Sequence, residues 1–94
     1  MADCQVTCIV KPHPLSKHEH ISHIGNCKAG WKWTREQVIA SIDAGTNTFY
    51  VRDPYSGKRS EVGIVRPVGK APYLRTYADG DWNDNLLALP QCWC

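Results

Sequence analysis

Five cysteines and four histidines stand in a chain of 94 residues, and these are the residue types that hold transition metals or run thiol chemistry. Cys4 and Cys8 come first, His18, His20 and His23 follow, then Cys27, and Cys92-Trp93-Cys94 ends the sequence. Thiolates and imidazoles are the ligands zinc prefers, and a structural zinc adds folding free energy to a small domain. A zinc-stabilised domain would draw on Cys8, His20, Cys27 and Cys92. Against it, no pair has the two-residue spacer of a zinc ribbon or knuckle, so the reading of these residues is buried or terminal thiols and surface histidines, with no metal and no cofactor. A redox pair of the Cys8–Cys92 kind is the remaining option. An odd cysteine count with no secretory signal at Met1-Ala2-Asp3-Cys4-Gln5 speaks for reduced thiols and a cytoplasmic setting.

A second constellation lies near the C-terminus. Asp79-x-Asp81-x-Asn83 repeats the first three ligand positions of a calcium loop, but Asp84 stands where that loop needs Gly and Pro90 where it needs Glu. Asp and Asn side chains capping their own turn is the better account. Catalysis has less to build on. Cys8 with His20 is the available nucleophile and base, without a third orienting group, an oxyanion hole or a Gly-rich phosphate loop. The chain therefore reads as a non-enzyme. Recognition has more material. Trp31, Trp33, Tyr50, Tyr55, Tyr73, Tyr77, Trp82 and Trp93 are too many large aromatics for one thin core, and those left outside suit a planar ligand or a partner hot spot. The expected contact surface is Arg52, Arg75, Tyr77, Asp79, Trp82, Asn83 and Asn85.

Composition bounds the partners. Eleven basic against nine acidic residues give a formal charge of +2, and the basic residues are scattered rather than gathered into the stripe of a dedicated nucleic-acid binder. Single-stranded nucleic acid, stacked on Tyr50 and Tyr73 with Arg52 and Arg75 reaching phosphates, stays as an alternative. No stretch approaches the ~18–20 apolar residues of a membrane span. A homodimer through an edge strand is open to so small a sheet.

These residues must be positioned by few elements. Residues 4–10 alternate as one strand, and Lys11-Pro12-His13-Pro14 ends it. A short strand is expected near Glu19–Ile24. Thr34 with Gln37 three residues on forms a capping box, Val38, Ile39 and Ile42 make an apolar stripe, and Gly45 ends the helix, predicted over Arg35–Ala44. Phe49-Tyr50-Val51 and Val62-Gly63-Ile64-Val65 flank the turn Asp53-Pro54-Tyr55-Ser56-Gly57, an antiparallel hairpin. Tyr73–Tyr77 is the last strand. Leu86, Leu87 and Leu89 must tuck back onto the body, since each left in water forfeits roughly 1.5–3 kcal/mol. The order β-β-α-β-β-β describes a small single α+β domain over residues 1–94, an antiparallel sheet packed by one helix.

The motifs also occur in a familiar order. Thr7-Cys8-Ile9, His18-Glu19-His20-Ile21, Ile24-Gly25, Trp33-Thr34, Ala40-Ser41-Ile42, Thr48-Phe49-Tyr50-Val51, Tyr73-Leu74-Arg75-Thr76, Ala78-Asp79-Gly80 and Asp84-Asn85-Leu86-Leu87-Ala88-Leu89-Pro90-Gln91-Cys92 are its landmarks. Together they resemble the bacterial and phage family catalogued as domain of unknown function three-eight-nine-two, from about Cys8 to Cys92. The resemblance implies a small stand-alone domain without an established activity. Cys4 and Cys94 lie outside the pattern. In the phage or mobile-element setting that the resemblance permits, the expected role is a binding module that sequesters or inhibits a host protein or a small nucleotide-like ligand.

Overall fold

Helix α1, Arg35–Asp43, forms where its signals are strongest. The Gln37 backbone N–H donates to Thr34 Oγ1 at 3.1 Å, and the Thr34 N–H donates to Gln37 Oε1 at 2.9 Å, which closes the capping box. At the other end Gly45 takes φ +70°, and its N–H and that of Thr46 return to Ile42 and Ser41. Val38 is fully buried, and Ile39 and Ile42 pack against the core from the same stripe. The computed structural model describes residues 2–13, 17–53 and 55–93; Pro14, Pro54 and Cys94, which the sequence reading placed in turns or at the terminus, lie outside them.

Two sheets carry the rest. The larger has β1 (Ala2–Gln5), β5 (Asn47–Arg52), β6 (Arg59–Val65), β7 (Tyr73–Ala78) and β8 (Asp81–Asn83) in that spatial order, with β1 parallel to β5 and every other pair antiparallel. The smaller is an antiparallel array of β2 (Cys8–Val10), β3 (His23–Asn26) and β4 (Trp31–Thr34). The C-terminal segment extends it, because the Ile9 N–H donates to Pro90 O and the Ile9 carbonyl accepts from Cys92 N. The core lies between: Phe49, Val51, Val62 and Leu74 from the larger sheet meet Ile9 and Ile24 from the smaller, Val38 from α1, and Ile21 and Leu86 from the connections. Trp31 and Trp33 close one side, their rings 5.9 and 6.0 Å from that of Phe49. The protein is thus a small α+β domain of one helix and two mostly antiparallel sheets.

Residues 4–10, read as one strand, form two. Val6 N donates to Tyr50 O within the larger sheet, and Thr7 N donates to Gly25 O within the smaller. The chain changes sheet at that peptide. This is how Val6, Cys8 and Ile9 are all buried although simple alternation would expose one set. The segment expected as a strand over 19–24 is split between a 3-10 turn at His18–His20 and β3. Strands β4 and β8 had no counterpart in the sequence reading. The leucine segment does fold back: Ala88 N bonds Asp84 O, and Leu86 is fully buried with Leu87 and Leu89 packed beside it. Among the described residues no helix is long and apolar enough to cross a membrane.

Candidate binding cleft at the hairpin end

Of the three hairpin turns of the larger sheet, those joining β5 to β6 and β7 to β8 lie at the same end, since Glu61 pairs with Tyr50 on one side and Tyr77 on the other. The first turn is held by Asp53, whose N–H bonds Lys58 O, whose carbonyl accepts from Gly57 N, and whose carboxylate accepts from Tyr55 N at 2.8 Å. That backbone donor keeps the Asp53 carboxyl below the usual carboxylate range. The second turn is the two-residue loop Asp79-Gly80, with φ +54° and +83°, the paired left-handed conformation of a tight antiparallel hairpin. Between the turns opens a cleft of about 550 Å³. Asp53, Ser56, Lys58, Arg59 and Glu61 line one wall; Tyr77, Ala78 and Asp79 line the other; Ser60, Asn83 and Asn85 form the floor.

The floor is a polar network with little freedom. Asn83 Nδ2 and Asn85 Nδ2 both donate to Ser60 Oγ, at 3.0 and 2.9 Å. Asn83 Oδ1 accepts from Thr76 Oγ1 and from Asn85 N, and Thr76 Oγ1 accepts from Leu86 N at 3.1 Å. Thr76 and Ser60 are buried, so this network satisfies groups that burial would otherwise penalise. Asn83 is thereby committed to the fold. Lys58 and Asp79, which also line the cleft, are in no ion pair among the described residues.

The sheet also carries a cross-strand row, Tyr50–Glu61–Tyr77–Trp82, of which Glu61 and Tyr77 line the cleft as well. Tyr77 and Trp82 meet edge to face at 5.6 Å and remain 39% and 46% exposed. They lie over Gly63, where a Cβ would stand 2.9 Å from Tyr77 Cε1 and 3.3 Å from Trp82 Cη2. Arg59 covers the Tyr50 ring at 4.1 Å while pairing with Asp3 and Glu61. Those bonds hold the Asp3 carboxyl low, Arg59 first and Thr48 second.

Of the seven expected contact residues, Tyr77, Asp79, Asn83 and Asn85 line the cleft and Trp82 buttresses it. Arg52 and Arg75 do not line it. Arg52 donates to Gly57 O and so clamps the first turn. Arg75 donates to Asn83 O and pairs with Asp84 at 3.0 Å, fixing the start of the leucine segment. The sequence reading missed Lys58, Arg59, Ser60 and Glu61; the signal was the pairing of two turn-rich hairpins, which brings their tips together only once strand order is known.

The cysteines form a separate centre. Cys8 is disulfide-bonded to Cys92, where reduced thiols were expected; the parallel run of residues 90–92 beside β2 brings them to a Cα separation of 4.9 Å. Cys27 Sγ lies 3.7 Å from Cys8 Sγ, and the three sulfurs are all within 4.8 Å of one another. His20, exposed on its 3-10 turn, is not part of this group. Cys4 is a free thiol in β1, its pKa raised by burial and by Asp3.

No curated protein and no solved structure matches this chain. A family model described as a protein of unknown function, DUF3892, matches residues 5–90, from the end of β1 to the proline that closes the leucine segment. That span takes in the helix, the whole cleft and every strand except most of β1, and the chain belongs to the DUF3892 family.

Proposed function

We propose that the protein is a non-enzymatic binding module that holds a small nucleotide-like ligand in the cleft between its two hairpin turns. The observation that carries this reading is the exposed Tyr77, packed edge to face with Trp82, in the lining of a 550 Å³ cleft. That volume falls within the range of small-molecule sites. A stacked base gains about 1–3 kcal/mol on an aromatic ring. Lys58 offers a cation for a phosphate, and Asp79 and Asn85 offer acceptors for sugar hydroxyls or base N–H groups. Among the described residues the cleft lining contains no histidine or cysteine; Ser60 is buried under two amide donors, and Ser56, exposed in the first turn, accepts from Lys58 N. Binding without turnover is what such a set supports.

Nucleic acid on the sheet face finds less support, because Arg59 already covers Tyr50 and Arg75 is engaged with Asp84. The test is a two-dimensional amide NMR titration with nucleoside 5′-monophosphates. The expected outcome is shifts confined to residues 56–61 and 77–85, lost in Tyr77→Ala, and reduced in Lys58→Ala for the monophosphates but not for the bare nucleosides. No shifts with any of these probes would move the reading to a host protein as the partner; shifts scattered elsewhere would remove the cleft.

A further inference from the structure

We propose that the ligand is a dinucleotide held across two adjoining clefts, an inference that rests on the nucleotide reading of the first. A second cleft, of about 330 Å³, lies between the β5–β6 turn and the leucine segment. Asp53 and Asn85 line both clefts, so the two adjoin at those residues. Beyond that border the linings differ. The first cleft is lined mostly by polar and charged residues, whereas Val51, Ala88, Leu89 and Pro90 line the second. A mostly apolar cleft of this volume suits a planar base taken out of water. Its wall is held in place: Asn85 Nδ2 donates to Ser60 Oγ at 2.9 Å, Leu89 N donates to Leu86 O at 3.2 Å, and Pro90 O accepts from Ile9 N at 3.0 Å. A wall fixed before binding lowers the ordering cost that binding must offset.

Each cleft carries the same two means of recognition. Tyr77 lines the first and Tyr55 the second, at 39% and 98% exposure, which leaves both open to stack a base. Lys58 lines the first and Arg52 the second, and neither is in an ion pair among the described residues. The two cations flank one turn, because Asp53, next to Arg52 in sequence, donates its N–H to Lys58 O at 2.8 Å. Arg52 Nη1 donates to Gly57 O, and the guanidinium has further N–H groups to offer a phosphate. The Asp53 carboxylate at the border accepts from Tyr55 N at 2.8 Å and retains acceptor capacity for a ribose hydroxyl. Two cations at one turn, with an exposed tyrosine in the cleft beyond each, match the order base, phosphate, base. A mononucleotide in the first cleft leaves Tyr55 and Arg52 unused.

Calorimetric and amide NMR titrations of the full chain test this, with the nucleoside 5′-monophosphates beside the dinucleoside monophosphates ApA, CpC, GpG and UpU. The preferred dinucleotide is expected to bind about tenfold tighter than its own monophosphate, a difference of ~1.4 kcal/mol that one stacked base supplies. It adds shifts at Val51, Arg52, Tyr55, Ala88 and Leu89 to those of the first cleft. In Tyr55→Ala the advantage of the dinucleotide disappears, whereas Tyr77→Ala weakens both ligands. A monophosphate that binds in the first cleft with no dinucleotide binding tighter overturns the proposal and leaves the nucleotide reading standing. An advantage that persists in Tyr55→Ala also overturns it. No binding by either class of probe overturns both.

Discussion

His18 shows how much one side chain here depends on its surroundings. It is 9% exposed, and its Nε2 lies 3.5 Å from Asp84 Oδ1 without a hydrogen bond. Burial lowers its pKa first and Arg75 second; Asp84 pulls the other way. The lowering wins, since Asp84 is largely in water and already paired with Arg75. The native state therefore favours the neutral ring, and the unfolded chain binds the proton more readily. Stability is complete above the unfolded value near 6.5 and falls as pH drops through the lower folded value. Urea midpoints measured from neutral to mildly acidic pH should show this decline, and His18→Gln should flatten it. Two glycines give a second residue-scale prediction. A Cβ on Gly25 would meet the Trp31 carbonyl at 2.6 Å, and β3 and β4 would have to part, so Gly25→Ala should cost about 1–3 kcal/mol. Gly63→Ala instead pushes on two exposed rings that can swing outward. Its denaturant midpoint should change far less, while tryptophan emission shifts to the red.

The β7–β8 hairpin is the element on which the cleft depends, and Thr76 is its pin. Its hydroxyl donates to Asn83 Oδ1 and accepts from Leu86 N, joining β7, β8 and the leucine segment. Thr76→Val keeps the shape and leaves both partners short of a bond, so chemical denaturation should show a loss of about 1–3 kcal/mol. The same hairpin marks the limit of what the sequence disclosed. Asp79-Gly80 is a strong hairpin signal, yet Asp79, Asp81 and Asn83 invited a comparison with calcium ligands, and the three residues of β8 are too short for a periodicity. Helix α1 was legible because its caps and stripe are local. The five hydrogen-bonded strands around the cleft were legible only in part, since β1 joins β5 across more than forty residues through a parallel pairing that no turn announces. Tyr77 and Asp79 were found as candidates from residue type; Lys58, Arg59, Ser60 and Glu61 required the tertiary pairing of two hairpins.

At the scale of the whole molecule, two sheets share one core, and the chain crosses between them at Val6-Thr7 and returns after α1. The Cys8–Cys92 bond spans a sequence separation of 84, and closing a loop of that length removes roughly 4–5 kcal/mol of unfolded-state entropy. A Cys8→Ser, Cys92→Ser double variant should therefore unfold at a clearly lower denaturant midpoint than the wild type, and equal midpoints would show that this bond contributes nothing. The cleft stands apart from that bond: none of the described cysteines lines it, and it lies between the β5–β6 and β7–β8 turns of the larger sheet. Ligand occupancy and redox state can consequently be separated in one instrument. The most direct measurement is native mass spectrometry of the protein purified gently from its host lysate, wild type beside Tyr77→Ala. The account predicts a non-protein mass of nucleotide size on the wild type that is lost from Tyr77→Ala. A wild type without such a mass, or the same mass retained by Tyr77→Ala, would contradict the cleft as its ligand site.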